Sequence, residues 1–324
     1  MDNAYRRSQQ SFDRTADARF GIYDLRKRGF VIDPIIFTIK IGTFQFSLHW
    51  YGVIVMLGVS VAAWLSGREV KRRGGDVNWI WDSLFYILIA GVIGARLWYV
   101  AVSTIGGNPQ YLQNPLSIFN IPAGGLHIYG AFLFGGIAFL IYARRQKLDL
   151  WLLIDSIAPN LLIGQAIGRI ANFINQELYG PPTTLPWGIP IDAQHRLPMY
   201  QDLSQFPEAT TRFHPTFAYE MVWNILAATL LVWIGRKFER KIRPGTIFFG
   251  WMVLAGLGRA IIETWRPDQP ILAGIGISTS RLVALLLFIT GGILLLSRYH
   301  MLPFSFWKDQ PELELQSEAE RMDE

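Results

Sequence analysis

Residues 150–177 read LWLLIDSIAPNLLIGQAIGRIANFINQE. The first part of this stretch is apolar apart from Asp155, Ser156, Asn160 and Gln165, and it is long enough to cross a bilayer, which takes roughly 20 mostly apolar residues. Its end is different. Arg169, Asn172, Asn175 and Glu177 crowd into nine positions. A charged side chain within a span costs at least ~2.5–3.5 kcal/mol, so such groups face a protein interior or a wet cavity. One helix cannot provide that interior, so the partners must come from other spans.

The rest of the chain supplies them. Of 324 residues, 51% are hydrophobic and only 17% charged, against about 25% charged in an ordinary soluble protein. Seven segments have the length and character of spans: 46–66, 79–100, 125–143, 149–171, 214–234, 245–264 and 277–297. The expected fold is an all-α integral membrane protein of about seven transmembrane helices. Residues 1–45 form an N-terminal extension and a short interfacial lead-in. Residues 46–300 form the transmembrane domain, and 301–324 an acidic cytoplasmic tail. Between the fourth and fifth spans, residues 178–213 carry six prolines, which forbid a continuous helix. This connection is expected to be an ordered extracytoplasmic arm.

Charge sets the orientation. The connections after spans one, three and five hold twelve Lys or Arg, from Arg68 to Arg243, against three in the alternate set. The positive-inside rule puts the twelve in the cytoplasm, the N-terminus outside and the C-terminus inside. Arg26, Lys27 and Arg28 pull the other way, at or beyond the edge of the counted window. No cysteine is present, which removes disulfides, thiolate metal sites and a cysteine nucleophile. No His pair stands at metal-binding spacing, and neither a metal, a cofactor nor nucleic acid is expected.

On this topology the polar residues gather at one end of the spans. Tyr51 opens the first and Arg96 lies late in the second. His127 and Tyr129 open the third, and Arg169 and Asn172 close the fourth. His214 and Glu220 open the fifth, Arg259, Glu263 and Arg266 close the sixth, and Ser278 to Arg281 open the seventh. Arg259, Glu263 and Arg266 fall at i, i+4 and i+7, one helical stripe. Five arginines at one depth repel unless an anion or nearby glutamates offset them, and the planar guanidinium suits a phosphate. A polar cavity open to lipid headgroups follows. Buried ion pairs such as Arg169–Glu263 or Arg96–Glu220 are the alternative use of these charges. Gly164 and Gly168 form a small-residue face suited to helix packing. An anion transporter is the competing function, disfavoured by the one-sided polar groups and the absence of an inverted repeat.

These residues sit in ordered motifs. GRIANFINQELYG (168–180), DPIIFTI (33–39), HWYG (49–52), GARLWYV (94–100), GGLHIYGA (124–131), HPTFAYE (214–220) and GRAIIETWRPD (258–268) together resemble the bacterial prolipoprotein diacylglyceryl transferases over about residues 33–300. The resemblance implies a plasma-membrane enzyme that moves the diacylglyceryl group of phosphatidylglycerol onto the lipobox cysteine thiol of a prolipoprotein, with glycerol phosphate leaving. It implies that Arg169 and Asn172 bind the headgroup region. Arg259 and Arg266 then hold the phosphate, with Glu263 orienting them. Asn175 belongs to the same substrate-binding stretch, Glu177 organises its end, and Tyr51 lies at the cavity. Arg96 and Glu220 match family positions, with a structural role equally open.

Two positions depart from the family. Where many members carry a His, this chain has Tyr129, with His127 two residues earlier. Residues two apart on a helix do not share a face, so the base is Tyr129, Tyr51, or His127 if the helix begins after it. That ranks Tyr129 first. Arg281 stands where an uncharged polar residue is expected.

Overall fold

The computed structural model describes residues 32–41, 44–121, 124–269, 271–272, 276–304 and 307. Most of the N-terminal extension and of the acidic tail lies outside the described residues. Among the described residues, seven helices are long and apolar enough to cross a membrane: α1 (Trp50–Arg72), α2 (Asn78–Ile105), α3 (Ile128–Arg145), α4 (Leu150–Ile174), α5 (Thr216–Lys237), α6 (Thr246–Glu263) and α7 (Thr279–Arg298). Each coincides with one expected span. The chain is a multi-pass, mostly helical membrane protein.

One element differs from expectation. The lead-in to α1 is a β-hairpin, β1 (Ile35–Ile41) and β2 (Phe44–His49), paired antiparallel with Thr38 opposite Ser47. The first span therefore starts at Trp50 rather than at residue 46, and runs on to Arg72. Asp33 Oδ1 accepts the Ile35 amide at 2.8 Å, and the Trp50 amide donates to the Pro34 carbonyl at 3.0 Å. The hairpin is thereby stitched to the first turn of the helix.

Packing contacts group the chain into two units. The first draws on Met1–Gly58, Gly164–Ile225 and Gly258–Ala284. Here α1 and α4 cross closely: a Cβ on Gly58 would lie 2.7 Å from the Gly164 carbonyl oxygen. The expected small-residue face is thus used at Gly164, whereas Gly168 has open space around it. Ile54, Ala171 and Ile174 form a small core beside this crossing. The connection between α4 and α5 contains no α-helix. It folds over its own core of Tyr179, Ile191 and Phe213, with bridges from Pro182 and Ile189 to Phe213. Arg196 is buried in it, donating to the Ile191 carbonyl at 2.9 Å and lying 5.2 Å over the Phe213 ring.

The second unit draws on Val59–Ile163, Leu226–Leu257 and Leu285–Glu324. Its apolar core is built from Ala63, Val70, Ile80, Ala143 and Leu153. Helices α2 and α3 touch backbone to backbone, since a Cβ on Gly130 would meet the Gly94 carbonyl oxygen at 2.2 Å. The charges left by helix ends are spent internally. Glu69 pairs with Arg72, Arg73 and Arg236 at 2.8–3.2 Å, and Arg72 also with Glu239 at 2.7 Å. Asp155, which the sequence leaves as an isolated acid in a span, accepts the amides of Gly245 and Phe248 at 2.7 and 2.8 Å. It satisfies donors that the first turn of α6 cannot satisfy itself.

Candidate active site

The site in the first unit begins with the way α4 ends. The helix stops at Ile174, and Gln176 and Leu178 take left-handed backbone conformations (φ 52° and 56°). Such conformations are strained for side chains with a Cβ. Gln176 is held there by a reciprocal pair with Asp192, donating to its carboxylate at 2.9 Å and accepting its amide at 2.7 Å. The chain reverses as a result. The Glu177 amide donates to the Asn172 carbonyl at 3.0 Å, and the Glu177 carboxylate accepts from Asn172 Nδ2 at 2.7 Å and Asn175 Nδ2 at 3.5 Å.

From Asn172 the polar contacts continue across three helices. Asn172 Oδ1 accepts from Arg169 Nη1 at 3.1 Å, and Arg169 Nη2 forms a short ion pair with Glu220 Oε1 on α5. The other Glu220 oxygen pairs with Arg259 Nη1 on α6 at 3.3 Å. Arg259 Nη2 lies 3.0 Å from Glu263 Oε2, an ion pair without hydrogen-bond alignment. Glu263 Oε1 accepts from Ser278 Oγ at 3.0 Å, and Ser278 Oγ in turn accepts the Arg281 amide at 3.1 Å. One relay therefore runs Glu177–Asn172–Arg169–Glu220–Arg259–Glu263–Ser278. Asn172, Glu220 and Glu263 are buried.

The pairing differs from the sequence-based options. Arg169 meets Glu220 instead of Glu263, and Glu220 serves two arginines at once. Each arginine reaches one Glu220 oxygen through one nitrogen, a charge-assisted contact. Not every donor is used. Arg169 Nε and Arg281 Nε are buried without an acceptor among the described residues. The Arg259 side chain is 27% exposed, against 19% for Arg169 and 5% for Arg266, so Arg259 is the most open of the three.

Arg266 is off the expected stripe. Helix α6 ends at Glu263, and Pro267 follows Arg266. A residue before proline is pushed out of the helical region. Arg266 instead clamps Asp268 with two bonds of 3.2 and 2.8 Å. Burial alone raises the Asp268 carboxyl, but the Arg266 hydrogen bond and charge outweigh it and hold it below its ordinary value. Tyr51, in the first turn of α1, is half-exposed.

Beside the relay lies a second chain of contacts that the sequence left unassigned. Trp187 Nε1 donates to the Tyr219 hydroxyl at 2.8 Å, and that hydroxyl is 3.0 Å from His214 Nδ1. Burial pushes the His214 imidazole below its ordinary value. Tyr219 thus stands between the Trp187 indole and the His214 ring, sharing one hydrogen bond with each. The only sequence signal for this chain was the HPTFAYE motif, which carries both His214 and Tyr219.

In the second unit, Arg96 is buried and donates to five carbonyls: Ser117, Ile118, Asn120, Gly124 and Gly125, at 2.6–3.1 Å. It acts as a clamp on the loop before α3 and pairs with backbone carbonyls rather than with an acid. His127 settles the condition placed on it, because α3 begins at Ile128 and His127 precedes it in extended conformation. Its amide donates to the Ala95 carbonyl at 3.0 Å, and its ring lies 5.1 Å from that of Tyr129. His127 Nδ1 is buried without a partner among the described residues.

Comparison with known proteins follows the same lines. A family model described as prolipoprotein diacylglyceryl transferase matches residues 34–297. A phosphatidylglycerol–prolipoprotein diacylglyceryl transferase of Chloroflexus aggregans is 36% identical over 286 residues, covering 84% of this chain and 92% of the relative. The enzyme of that name from Bifidobacterium longum subsp. infantis is 33% identical, covering 85% and 87%. That of Enterococcus faecalis is 35% identical, covering 79% and 88%.

Proposed function

The chain belongs to the prolipoprotein diacylglyceryl transferase family, and from that premise we propose that it transfers the diacylglyceryl group of phosphatidylglycerol to the lipobox cysteine of a prolipoprotein signal peptide. A thioether bond forms between the cysteine sulfur and the glyceryl carbon. The bond between that carbon and the phosphate oxygen breaks, glycerol phosphate leaves, and the thiol proton passes to a base. This is the first step of bacterial lipoprotein maturation. The protein works in the plasma membrane, with the N-terminus and the arm of residues 178–213 outside and the C-terminus in the cytoplasm.

The observation that carries this reading is the pair Arg169 and Arg259 held by one carboxylate, Glu220. The donor phosphate is a diester with one negative charge and leaves as a monoester gaining a second. Groups that stabilise the gained charge lower the barrier, whereas equal binding of both states does not. Glu220 and Glu263 fix the two guanidinium planes in advance, so no reorganisation is needed as the charge develops. Arg169 Nε and the open side of Arg259 supply donors for the phosphate. Asn172, Asn175 and Glu177 hold Arg169 in place, and Tyr51 belongs to the same binding surface. Arg266 contributes through Asp268, positioning the end of α6, and Arg96 positions the α3 loop.

The acceptor must be a thiolate. We assign the proton acceptor to His127, because it precedes α3 in extended conformation and its Nδ1 has no other partner among the described residues. Tyr129 is placed beside it as an orienting ring. The proposal is tested by supplying phosphatidylglycerol with a radiolabelled glycerol headgroup to the purified protein. Release of labelled glycerol phosphate only when a lipobox peptide is present is expected; release without peptide indicates a phospholipase, and none at all removes the donor assignment.

A further inference from the structure

A cavity of about 250 Å³ lies on the seam between α5 and α6 within the first unit. Thr216, Tyr219 and Trp223 line it from α5, at i, i+3 and i+7, so one face of that helix forms a wall. Gly258, Ile261, Ile262 and Trp265 form the facing wall. Space for it depends on Gly258, whose absent Cβ would lie 2.0 Å from Trp223 Nε1. Ile261 and Trp265 are 47% and 46% exposed and make its rim.

Both hydroxyls of its lining are already committed. Thr216 Oγ1 donates to the Leu178 carbonyl at 2.6 Å, which leaves its methyl to the wall. The Tyr219 hydroxyl is occupied by Trp187 and His214, which leaves its ring. A peptide segment entering the cavity would bring backbone amides and carbonyls to a lining that is mostly aliphatic and aromatic, and each one left unpaired costs about 1–3 kcal/mol. A hydrocarbon chain needs no such pairing. All of the lining except Trp265 belongs to membrane-spanning helices, so the occupant arrives from the hydrocarbon.

The position relative to the relay narrows the choice. Glu220 follows Tyr219, and Arg259 follows Gly258, so the Glu220–Arg259 pair bridges the same two helices along which the cavity runs. Arg259 and the wall residue Gly258 are successive positions of α6, about 1.5 Å apart along its axis, so a lipid whose phosphate meets Arg259 has its headgroup at the same level of the helix as the cavity. We propose that this cavity is the seat of one acyl chain of the reacting phosphatidylglycerol, and that it makes transfer depend on chain length. The proposal rests on the donor assignment above and adds to it the subsite that reads the chain.

The test replaces Ile261 at the rim with Trp and compares dipalmitoyl- with dioctanoyl-phosphatidylglycerol. The long-to-short ratio of kcat/KM is expected to fall about tenfold, equivalent to ~1.4 kcal/mol or roughly two methylenes no longer buried. Val222→Trp places the same bulk on an exposed position of α5 outside the cavity and should keep the wild-type ratio. An unchanged ratio in Ile261→Trp overturns the proposal, and so does an unchanged ratio accompanied by a raised KM for the peptide, which would give the cavity to the acceptor. Retention of dipalmitoyl-phosphatidylglycerol by the purified protein, read by native mass spectrometry, examines the cavity without turnover. Ile261→Trp should retain less lipid than Val222→Trp, and equal retention refutes the subsite. Failure of wild-type protein to turn over either donor, with retention still lowered by Ile261→Trp, instead counts against the transferase reading alone.

Discussion

Replacing Glu220 with Gln probes the joint on which the relay depends. The carboxylate is 10% exposed and accepts from Arg169 with one oxygen and Arg259 with the other. Gln keeps the size but offers an amide NH₂ to one arginine, so one attraction becomes a donor facing a donor. Breaking a buried ion pair costs about 3–5 kcal/mol when the orphaned charge stays buried. The arginines are 19% and 27% exposed, so water relieves part of this, and ~2–3 kcal/mol is the expected loss of stability. On activity, one charge-assisted hydrogen bond is worth about 1.5–3 kcal/mol, a roughly ten- to hundredfold fall in kcat/KM. Thermal unfolding in detergent and donor turnover measure the two effects. A double-mutant cycle with Arg169→Gln should be strongly non-additive, coupled by at least ~0.5 kcal/mol. Wild-type stability and turnover in Glu220→Gln, or strict additivity in the cycle, would refute the shared-carboxylate reasoning.

Other substitutions address the remaining elements. Arg169→Ala should abolish transfer while the protein still inserts and purifies as a membrane protein; wild-type turnover in that variant removes its role at the phosphate. His127→Ala should impair turnover more than Tyr129→Phe, and the opposite order returns the base to Tyr129. Gly58→Val should lower stability by about 1–3 kcal/mol, the cost of overpacking a close crossing, because its Cβ meets the Gly164 carbonyl; an unshifted unfolding midpoint contradicts the close packing. His214 has its folded-state pKa lowered by burial, so the folded protein binds fewer protons there than the unfolded chain. Its contribution is intact above the unfolded imidazole value, about 6.5, and is lost as pH falls from there through the lower folded value. His214→Gln should flatten that part of the stability profile between mildly acidic and neutral pH, and an unaltered slope shows that another group titrates.

The spans were legible because twenty apolar residues have few other uses, and each of the seven helices lies within a few residues of its expected place. The hairpin was not, since FQFSLH runs directly into the apolar WYGVIVM and carries no break between strand and helix. Arg266 was placed on a helical stripe by spacing alone, while Pro267 next to it was the stronger signal. Arg96 looked like half of an ion pair because its charge is visible in sequence and backbone carbonyls are not. The residues of the relay were nearly all named in advance. Their partners were not, because pairing across helices depends on how each helix is rotated, which a single chain of letters does not record. His127 shows the same limit in small: one residue's difference in where α3 starts decides whether it shares a face with Tyr129.

The most direct measurement is mass spectrometry of a lipobox peptide incubated with the purified protein and phosphatidylglycerol. A peptide heavier by one diacylglyceryl group, with the addition mapped to the cysteine sulfur and absent for Arg169→Ala, is the expected result. An unmodified peptide, from folded protein that retains phosphatidylglycerol, would contradict the assignment of a transferase site to the Arg169–Glu220–Arg259 relay.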